Sequence, residues 1–586
     1  MREEIQISPA EAASIECIQK VYQAIDENKS FRVEAGAGAG KTYTLIKALK
    51  YLIGRYSDDF QKSQKRIACI TYTNVAKDEI RSRVDNHPII YADTIHAFAW
   101  DAIQGYQQAL RDKLPELGEK WIARIDEAGG VKKQKVKYDL GYPKMTDTEA
   151  YLHHNDVIKL FSSFLSDQKF KKIFSANFPI ILVDEYQDTN KGLADALVEN
   201  FIVPQSGSTI GFFGDHWQKI YGSESCGLIE ADTEKLVVIG KQANFRSDKN
   251  IVDVLNKMRP ELEQHEHDPD SLGEVIVYHT NGWVGERRTG AHWNGDLPAE
   301  AAHQFLEGTK ARLNESGWDI SPSNTKVLML THNVLAAEQG YQTIASSFSD
   351  NDDFLSLKDP YMDFLIATVE NGLTAFRQRK YGAMMDTFGI RTSRIRNHAD
   401  KKVWQESMIR LQESREHGTV GSVIDLLKET RKPRLTEKIE AREEQLSVIM
   451  QKAESEREEE EKKFYQKNER IRSIPYSEVP SLASYIDNRT LYSTKHGVKG
   501  AEFENVIVVL GRGWNQYNWS QFLEFVNSGD IPDANRDSYE RNRNLFYVAC
   551  SRPKHRLCLL FTQELSGDAL SGLQTLFGET IHDATT

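Results

Sequence analysis

Short apolar runs recur along the chain, each ending at a turn rich in chemically active side chains. They occupy 31–33, 66–70, 179–183, 209–213, 326–330, 506–510 and 556–560, with helix-like patterns between them. Apolar runs of this kind predict strands buried on both faces, and strands alternating with helices predict parallel sheets in α/β layers. The runs fall into an early and a late group, so two such domains are expected. Two long segments break the alternation. Residues 99–177 are mostly helical in pattern and carry no strand-and-turn chemistry. Residues 352–480 are also helical and include the charged runs 437–444 and 456–463, which read as a solvated helix or arm. Ser473-Ile474-Pro475 and Pro480-Ser481 read as a return linker. No internal repeat is visible.

At 586 residues the chain exceeds one core, since single cores stop growing near roughly 250–300 residues. Cys17, Cys69, Cys226, Cys550 and Cys558 are scattered, with no Cys-x-x-Cys pair. That argues against a zinc ribbon, an iron–sulfur cluster or a disulfide framework, and for thiols in a reducing cytoplasm. Met1-Arg2-Glu3-Glu4-Ile5-Gln6 lacks the regions of a signal peptide, and no apolar run approaches the roughly 18 residues of a membrane helix. A cytoplasmic location without a membrane partner is expected. The formal net charge of −12 bears on solubility and leaves room for a local basic groove.

The most specific chemistry lies in Ala35-Gly36-Ala37-Gly38-Ala39-Gly40-Lys41-Thr42, between an apolar strand entry and the helical pattern that begins at Tyr43. Strand, small-residue loop, Gly-Lys-Thr and helix make a phosphate-binding P-loop. Small residues let successive backbone N–H groups turn inward around phosphate oxygens, and the helix N-terminus adds partial positive charge. Lys41 would reach the β/γ-phosphates and the Thr42 hydroxyl would ligate Mg²⁺. A second apolar run, 180–183, delivers Asp184 and Glu185. Asp184 would hold Mg²⁺ opposite Thr42, Glu185 would orient or deprotonate the attacking water, and Gln187 would reach the γ-phosphate or that water.

The residues that follow carry a family likeness. Asp184-Glu185-Tyr186-Gln187-Asp188-Thr189-Asn190 resembles motif II of the UvrD/Rep-type superfamily 1 helicases. Residues 71–80 resemble motif Ia, 94–98 the segment after it, 214–222 motif III, 244–247 motif IV, 494–503 motif V and 547–552 motif VI, all in the family's order. The resemblance implies two RecA-like motor domains with helical insertions: 1–98 and 178–240 as 1A, 99–177 as 1B, 241–350 and 480–586 as 2A, and 351–479 as 2B. It implies ATP clamped between the motor domains, with Arg246 and Arg552 countering charge on the transferring phosphoryl group. Gln218 would sense the γ-phosphate, Glu502 would meet the nucleotide sugar or its surroundings, and Phe245 and Tyr43 would stack on adenine. Single-stranded DNA would be held by Tyr72, Asn74, His96 and Tyr221 from the first domain and by Thr494 and His496 from the second. Aromatic faces and polar groups of this kind grip a strand without reading its sequence.

Several positions depart from the family. Gln19 and Gln23 both lie near the expected distance for the adenine-reading glutamine, neither in its usual context. Ser223-Glu224 replaces a Trp-Arg pair, and Asn544 and Pro553 stand where relatives have Arg and Ala. Trp217 reads either as a stand-in for the missing Trp or as a packed loop aromatic. The resemblance implies 3′→5′ translocation on single-stranded or tailed DNA. The departures favour, as an alternative, a DNA-stimulated ATPase without robust unwinding that serves a partner nuclease in anti-phage defence, a role held in this family by the Gabija helicase subunit.

Overall fold

The computed structural model describes residues 7–139, 143–220, 224–290, 293–329, 336, 338–389, 397–487, 490–494, 501–512 and 517–586. The chain divides into two compact units. Unit 1 comprises Met1–Val277, Ser520–Leu557 and Ser566–Ile581; unit 2 comprises Tyr278–Trp519, Cys558–Leu565 and His582–Thr586.

Unit 1 is built on six strands: β1 (Ser30–Ala35), β2 (Ile67–Thr71), β3 (Ile90–Thr94), β4 (Ile180–Asp184), β5 (Thr209–Gly214) and β6 (Leu236–Lys241). Their order is β3-β2-β4-β5-β1-β6, and every neighbouring pair is parallel. A parallel sheet needs cover on both faces, and the side chains show it. Ile180 and Leu182 of β4 enter one core with Val33, Leu45 and Leu49. Ile181 and Val183, pointing the other way, enter a second core with Ile70, Phe98 and Phe161. Helix α1 (Lys41–Ser63) follows β1 directly and helix α2 (Asn74–Arg83) follows β2. β3 and β6 were not anticipated from the apolar pattern: each mixes polar with apolar residues because it closes an edge of the sheet.

Residues 99–177 are mainly helical and share the second core. Phe98, Phe161, Phe174 and Phe178 pack edge to face, with ring centroids 5.3–6.1 Å apart. The segment also holds a small three-stranded sheet of Lys135–Tyr138, Lys144–Met145 and Glu149–Leu152, which corrects the expectation of a segment without strands. Val136, Ala150 and Leu152 are buried there, alternating with more exposed neighbours.

The second sheet also has six strands: β7 (Glu274–His279), β8 (Thr325–Met329), β9 (Tyr492–Thr494), β10 (Phe503–Leu510), β11 (Pro553–Phe561) and β12 (Ile581–Asp583), in the order β9-β8-β10-β11-β7-β12. β8 lies parallel to both β9 and β10. Two RecA-like parallel sheets with mainly helical insertions are therefore the architecture. The helical part of unit 2 has its own core, including Tyr361, Leu365, Met408, Ile424 and Ile471. The charged run 437–444 is helical and mostly exposed, as is 456–463, but it does not stand free as an arm. Its helix, Glu437–Met450, buries Ile439, Leu446 and Ile449 along one face. Glu443 is buried with them, ion-paired to Lys428 and, at 2.6 Å, to Arg472.

Among the described residues all five cysteines are free thiols, and no described helix is long and apolar enough to cross a membrane.

Candidate nucleotide site and nucleic-acid track

β1 ends at Ala35 and the loop 36–40 turns into α1, whose first residue is Lys41. Gly38 and Gly40 take left-handed backbone angles, φ 74° and 73°. A Cβ on Gly38 would stand 2.6 Å from Asn244 Oδ1 and 2.9 Å from Arg246 Cβ, so glycine is required there by space as well as by backbone. The loop is held from several sides. The Ala37 N–H donates to the Tyr547 hydroxyl at 3.2 Å, and the Phe245 N–H donates to Gly38 O at 2.9 Å. The amides of Asn244 and Gln264 donate to Ala37 O.

Lys41 Nζ lies 2.9 Å from Glu185 Oε2. Burial works to lower the Lys41 pKa, but the charges of Glu185, Asp215 and Asp184 outweigh it and hold the ammonium above its ordinary value. Glu185 itself sits at φ 48°, a left-handed conformation in a residue that is not glycine. Strain of about 1–3 kcal/mol persists only where the surroundings impose it, and such residues cluster at functional sites. Burial and the adjacent Glu185 charge raise the Asp184 carboxyl. A buried carboxylate whose charge is disfavoured, at the end of a strand and facing the P-loop lysine, suits a divalent cation.

Gln187 joins two motifs. Its amide nitrogen donates to Glu185, and its oxygen accepts the Asp215 N–H at 3.0 Å. Asp215 in turn accepts from Gln218 Nε2 at 2.8 Å. Arg246 and Arg552 both belong to unit 1, and Arg246 stands at the loop beside Gly38. Arg246 donates to Ser551 O at 2.9 Å, and Arg552, 1% exposed, donates to Val548 O at 2.9 Å. Burial, then the neighbouring Arg246 charge, push the Arg552 guanidinium down to about 9. Two guanidinium groups that disfavour each other in a buried place favour an anion between them. Tyr43 and Phe245 are 48% and 40% exposed, free to meet a base.

Beneath this site lies a charge network that the motif analysis did not anticipate. Arg259, 2% exposed, spans two buried carboxylates, with Nη1 2.6 Å from Asp215 Oδ1 and Nη2 3.0 Å from Glu34 Oε1. Glu34 also receives Tyr186 OH at 2.6 Å and lies 2.7 Å from His216 Nδ1. Burial opposes its charge, but His216, Tyr186 and Arg259 prevail and hold Glu34 well below the usual carboxylate range. The ligating atoms of Glu34, Asp215 and His216 lie within 4.8 Å of one another, and the two carboxylates hold the Arg259 cation. Arg259 caps the C-terminus of the helix Lys249–Met258, directly ahead of Pro260.

Trp217 is a packed ring. Tyr547 meets it edge to face at 5.4 Å, and the Arg543 guanidinium lies over it at 4.2 Å. Asn544 donates to His216 O and Lys219 O, so this departure from the family pattern ties the 536–550 helix to residues 216–219.

On the expected nucleic-acid track, Tyr72 is 46% exposed, and Asn74 opens α2, capped by Thr73, with Lys77 bonded to its side chain. His96 packs edge to face on His154 at 4.5 Å, and burial, with His154 and His153, pushes its pKa down to about 4. Its ring is neutral at physiological pH. Thr494 ends β9 and Glu502 directly precedes β10, both in unit 2. Tyr221, His496 and the Thr494 side chain lie outside the described residues.

A family model described as an AAA domain matches residues 19–224, and one described as a UvrD-like helicase C-terminal domain matches 325–564. The chain is 24% identical to the Gabija protein GajB of Bacillus cereus, over 96% of this chain and 97% of that protein. It is 24% identical to the ATP-dependent DNA helicase PcrA of Staphylococcus epidermidis, over 39% of this chain and 37% of PcrA. Identity to a probable DNA helicase II homolog of Mycoplasma capricolum is also 24%, over 42% of this chain and 41% of that protein.

Proposed function

The chain belongs to the UvrD-type superfamily 1 helicases, on their Gabija branch, and from that premise we propose that it moves 3′→5′ along single-stranded DNA on ATP and Mg²⁺. As a member it is an ATP-hydrolysing enzyme that acts on DNA with a divalent metal. The observation that supports the finer reading is the Lys41–Glu185 pair at 2.9 Å, with Arg246 beside Gly38 and Arg552 within reach of the Glu185 and Arg246 charges.

Lys41 and Glu185 pair with each other at 2.9 Å. Phosphates entering the loop compete for Lys41 and release Glu185 to accept a proton from water, with Gln187 fixing its carboxylate. Arg246 and Arg552 stabilise the charge that spreads over the phosphoryl oxygens. Thr42 and Asp184 would hold Mg²⁺, which would supply positive charge against the phosphate oxygens. Gln218 would register the γ-phosphate, and its hydrogen bond to Asp215, which Gln187 also holds, supports that role. Phe245 and Tyr43 take the base, with Glu502 near the sugar. Tyr72, Asn74, His96, Tyr221, Thr494 and His496 grip the strand, and alternating grip by 1A (1–98, 178–240) and 2A (241–350, 480–586) gives directional steps.

Likeness to a Gabija protein along nearly the whole chain, against little more than a third of PcrA, favours a second reading: DNA-stimulated ATP turnover that controls a nuclease partner. ATPase assays with single-stranded DNA, beside unwinding of 3′-tailed and 5′-tailed duplexes, separate the two. Opening of the 3′-tailed duplex alone supports the translocase. Turnover without strand separation, with a nuclease co-purifying, supports the second reading. DNA-independent turnover or none refutes both.

A further inference from the structure

Lys241 has no part in the chemistry above. It ends β6, and its side chain is fully buried, 0% exposed. Its ammonium donates to Gly40 O at 3.0 Å and to Thr44 Oγ1 at 2.7 Å, and it lies 5.8 Å from the ring centres of both Tyr43 and Phe245. Burial pulls its pKa down to about 8. These hydrogen-bond partners are neutral oxygens, so the chain keeps a costly charge behind its phosphate loop.

The geometry of one peptide gives that charge a use. Gly40 is the last loop residue, in a left-handed conformation, and its carbonyl accepts the Thr44 N–H at 3.2 Å as well as the Lys241 ammonium at 3.0 Å. A trans peptide is planar, with its C=O and N–H on opposite edges. Fixing the Gly40 carbonyl therefore fixes the Lys41 N–H, on the edge of the peptide opposite the one Lys241 holds. A cation on the carbonyl also polarises the peptide and strengthens the N–H as a donor. We propose that Lys241 is a positioning residue for nucleotide: it orients and polarises the Gly40–Lys41 amide toward the phosphates and sets a second positive charge behind the loop. This rests on the P-loop reading above, and it assigns ground-state phosphate binding to a residue that does not touch substrate.

The test uses the full chain with two variants. Lys241→Met keeps length and removes both charge and donor; Lys241→Gln keeps a donor without charge. The readouts are ATP turnover with single-stranded DNA and calorimetric binding of Mg²⁺–ADP. Lys241→Met is expected to raise KM for ATP about tenfold and weaken ADP to match, a change of about 1.4 kcal/mol, while kcat moves far less. Lys241→Gln is expected to recover part of the loss. Unchanged KM and ADP affinity in folded Lys241→Met, or a fall in kcat alone, overturns the assignment. Should Lys241→Met fail to fold, Thr44→Val decides. Removing one acceptor is expected to raise KM severalfold, and an unchanged KM overturns the proposal. A wild-type chain that binds ADP but does not hydrolyse ATP refutes the motor reading while leaving the ADP arm to judge Lys241.

Discussion

Arg259→Met tests whether the buried network is a structural keystone. Arg259 is 2% exposed and bridges Glu34 and Asp215 at 3.0 and 2.6 Å. Removing one partner of a buried ion pair costs about 3–5 kcal/mol, because the remaining charge is left desolvated. Both carboxylates keep other donors, Tyr186 and His216 on Glu34, Gln218 and the Trp217 N–H on Asp215, so the loss should stay within that range. At on the order of 2 °C per kcal/mol for a unit of this size, the midpoint should fall by about 6–10 °C. Urea and thermal unfolding of the full chain measure it, and Glu34→Gln closes a double-mutant cycle. The double variant should be more stable than the sum of the singles implies by about 1–3 kcal/mol, since neutralising Glu34 removes a charge that Arg259→Met strands. Acid adds a second signature. Glu34 titrates below its ordinary 4.5 when folded, so its contribution is present above pH 4.5 and is lost as pH falls toward the folded value. Arg259→Met should flatten that loss. A variant within 1 kcal/mol of wild type, or an additive cycle, refutes the reasoning.

Lys41→Ala should lower ATP turnover by at least about 10²–10³-fold, measured as phosphate release with DNA present. Glu185→Gln should keep nucleotide binding and lower kcat by about 10²–10⁴-fold, and a retained kcat would remove Glu185 from the chemistry. Gly38→Ala should weaken ATP binding and destabilise the chain by more than the about 1–2 kcal/mol of a left-handed alanine, since its Cβ would stand 2.6 Å from Asn244 Oδ1; calorimetry and thermal unfolding read both effects. His96, with a pKa near 4, should give no gain in DNA affinity between pH 7.5 and 5.5 that His96→Gln abolishes, as fluorescence anisotropy would show.

The P-loop could be read along the chain because its chemistry is local: a strand, glycines at strained positions and a lysine, all within a dozen residues. Buried central strands were readable for the same reason, since a residue covered on both faces must be apolar whichever neighbour covers it. Edge strands such as Ile90–Thr94 and Leu236–Lys241 escaped, because one exposed margin relaxes that demand. The family order of motifs singled out Arg246, which stands beside Gly38, where local patterns alone gave it no role. Arg259 and Lys241 stayed hidden because their partners lie between 197 and 225 residues away for Thr44 and Glu34. Yet half of the signal was present. Ser30–Ala35 is buried along its whole length and still carries Arg32 and Glu34. A charge inside a strand covered on both faces requires a buried counter-charge. Arg32 Nε lies 3.3 Å from Glu34 and supplies part of that counter-charge within the strand, while Arg259, 225 residues away, joins only on folding.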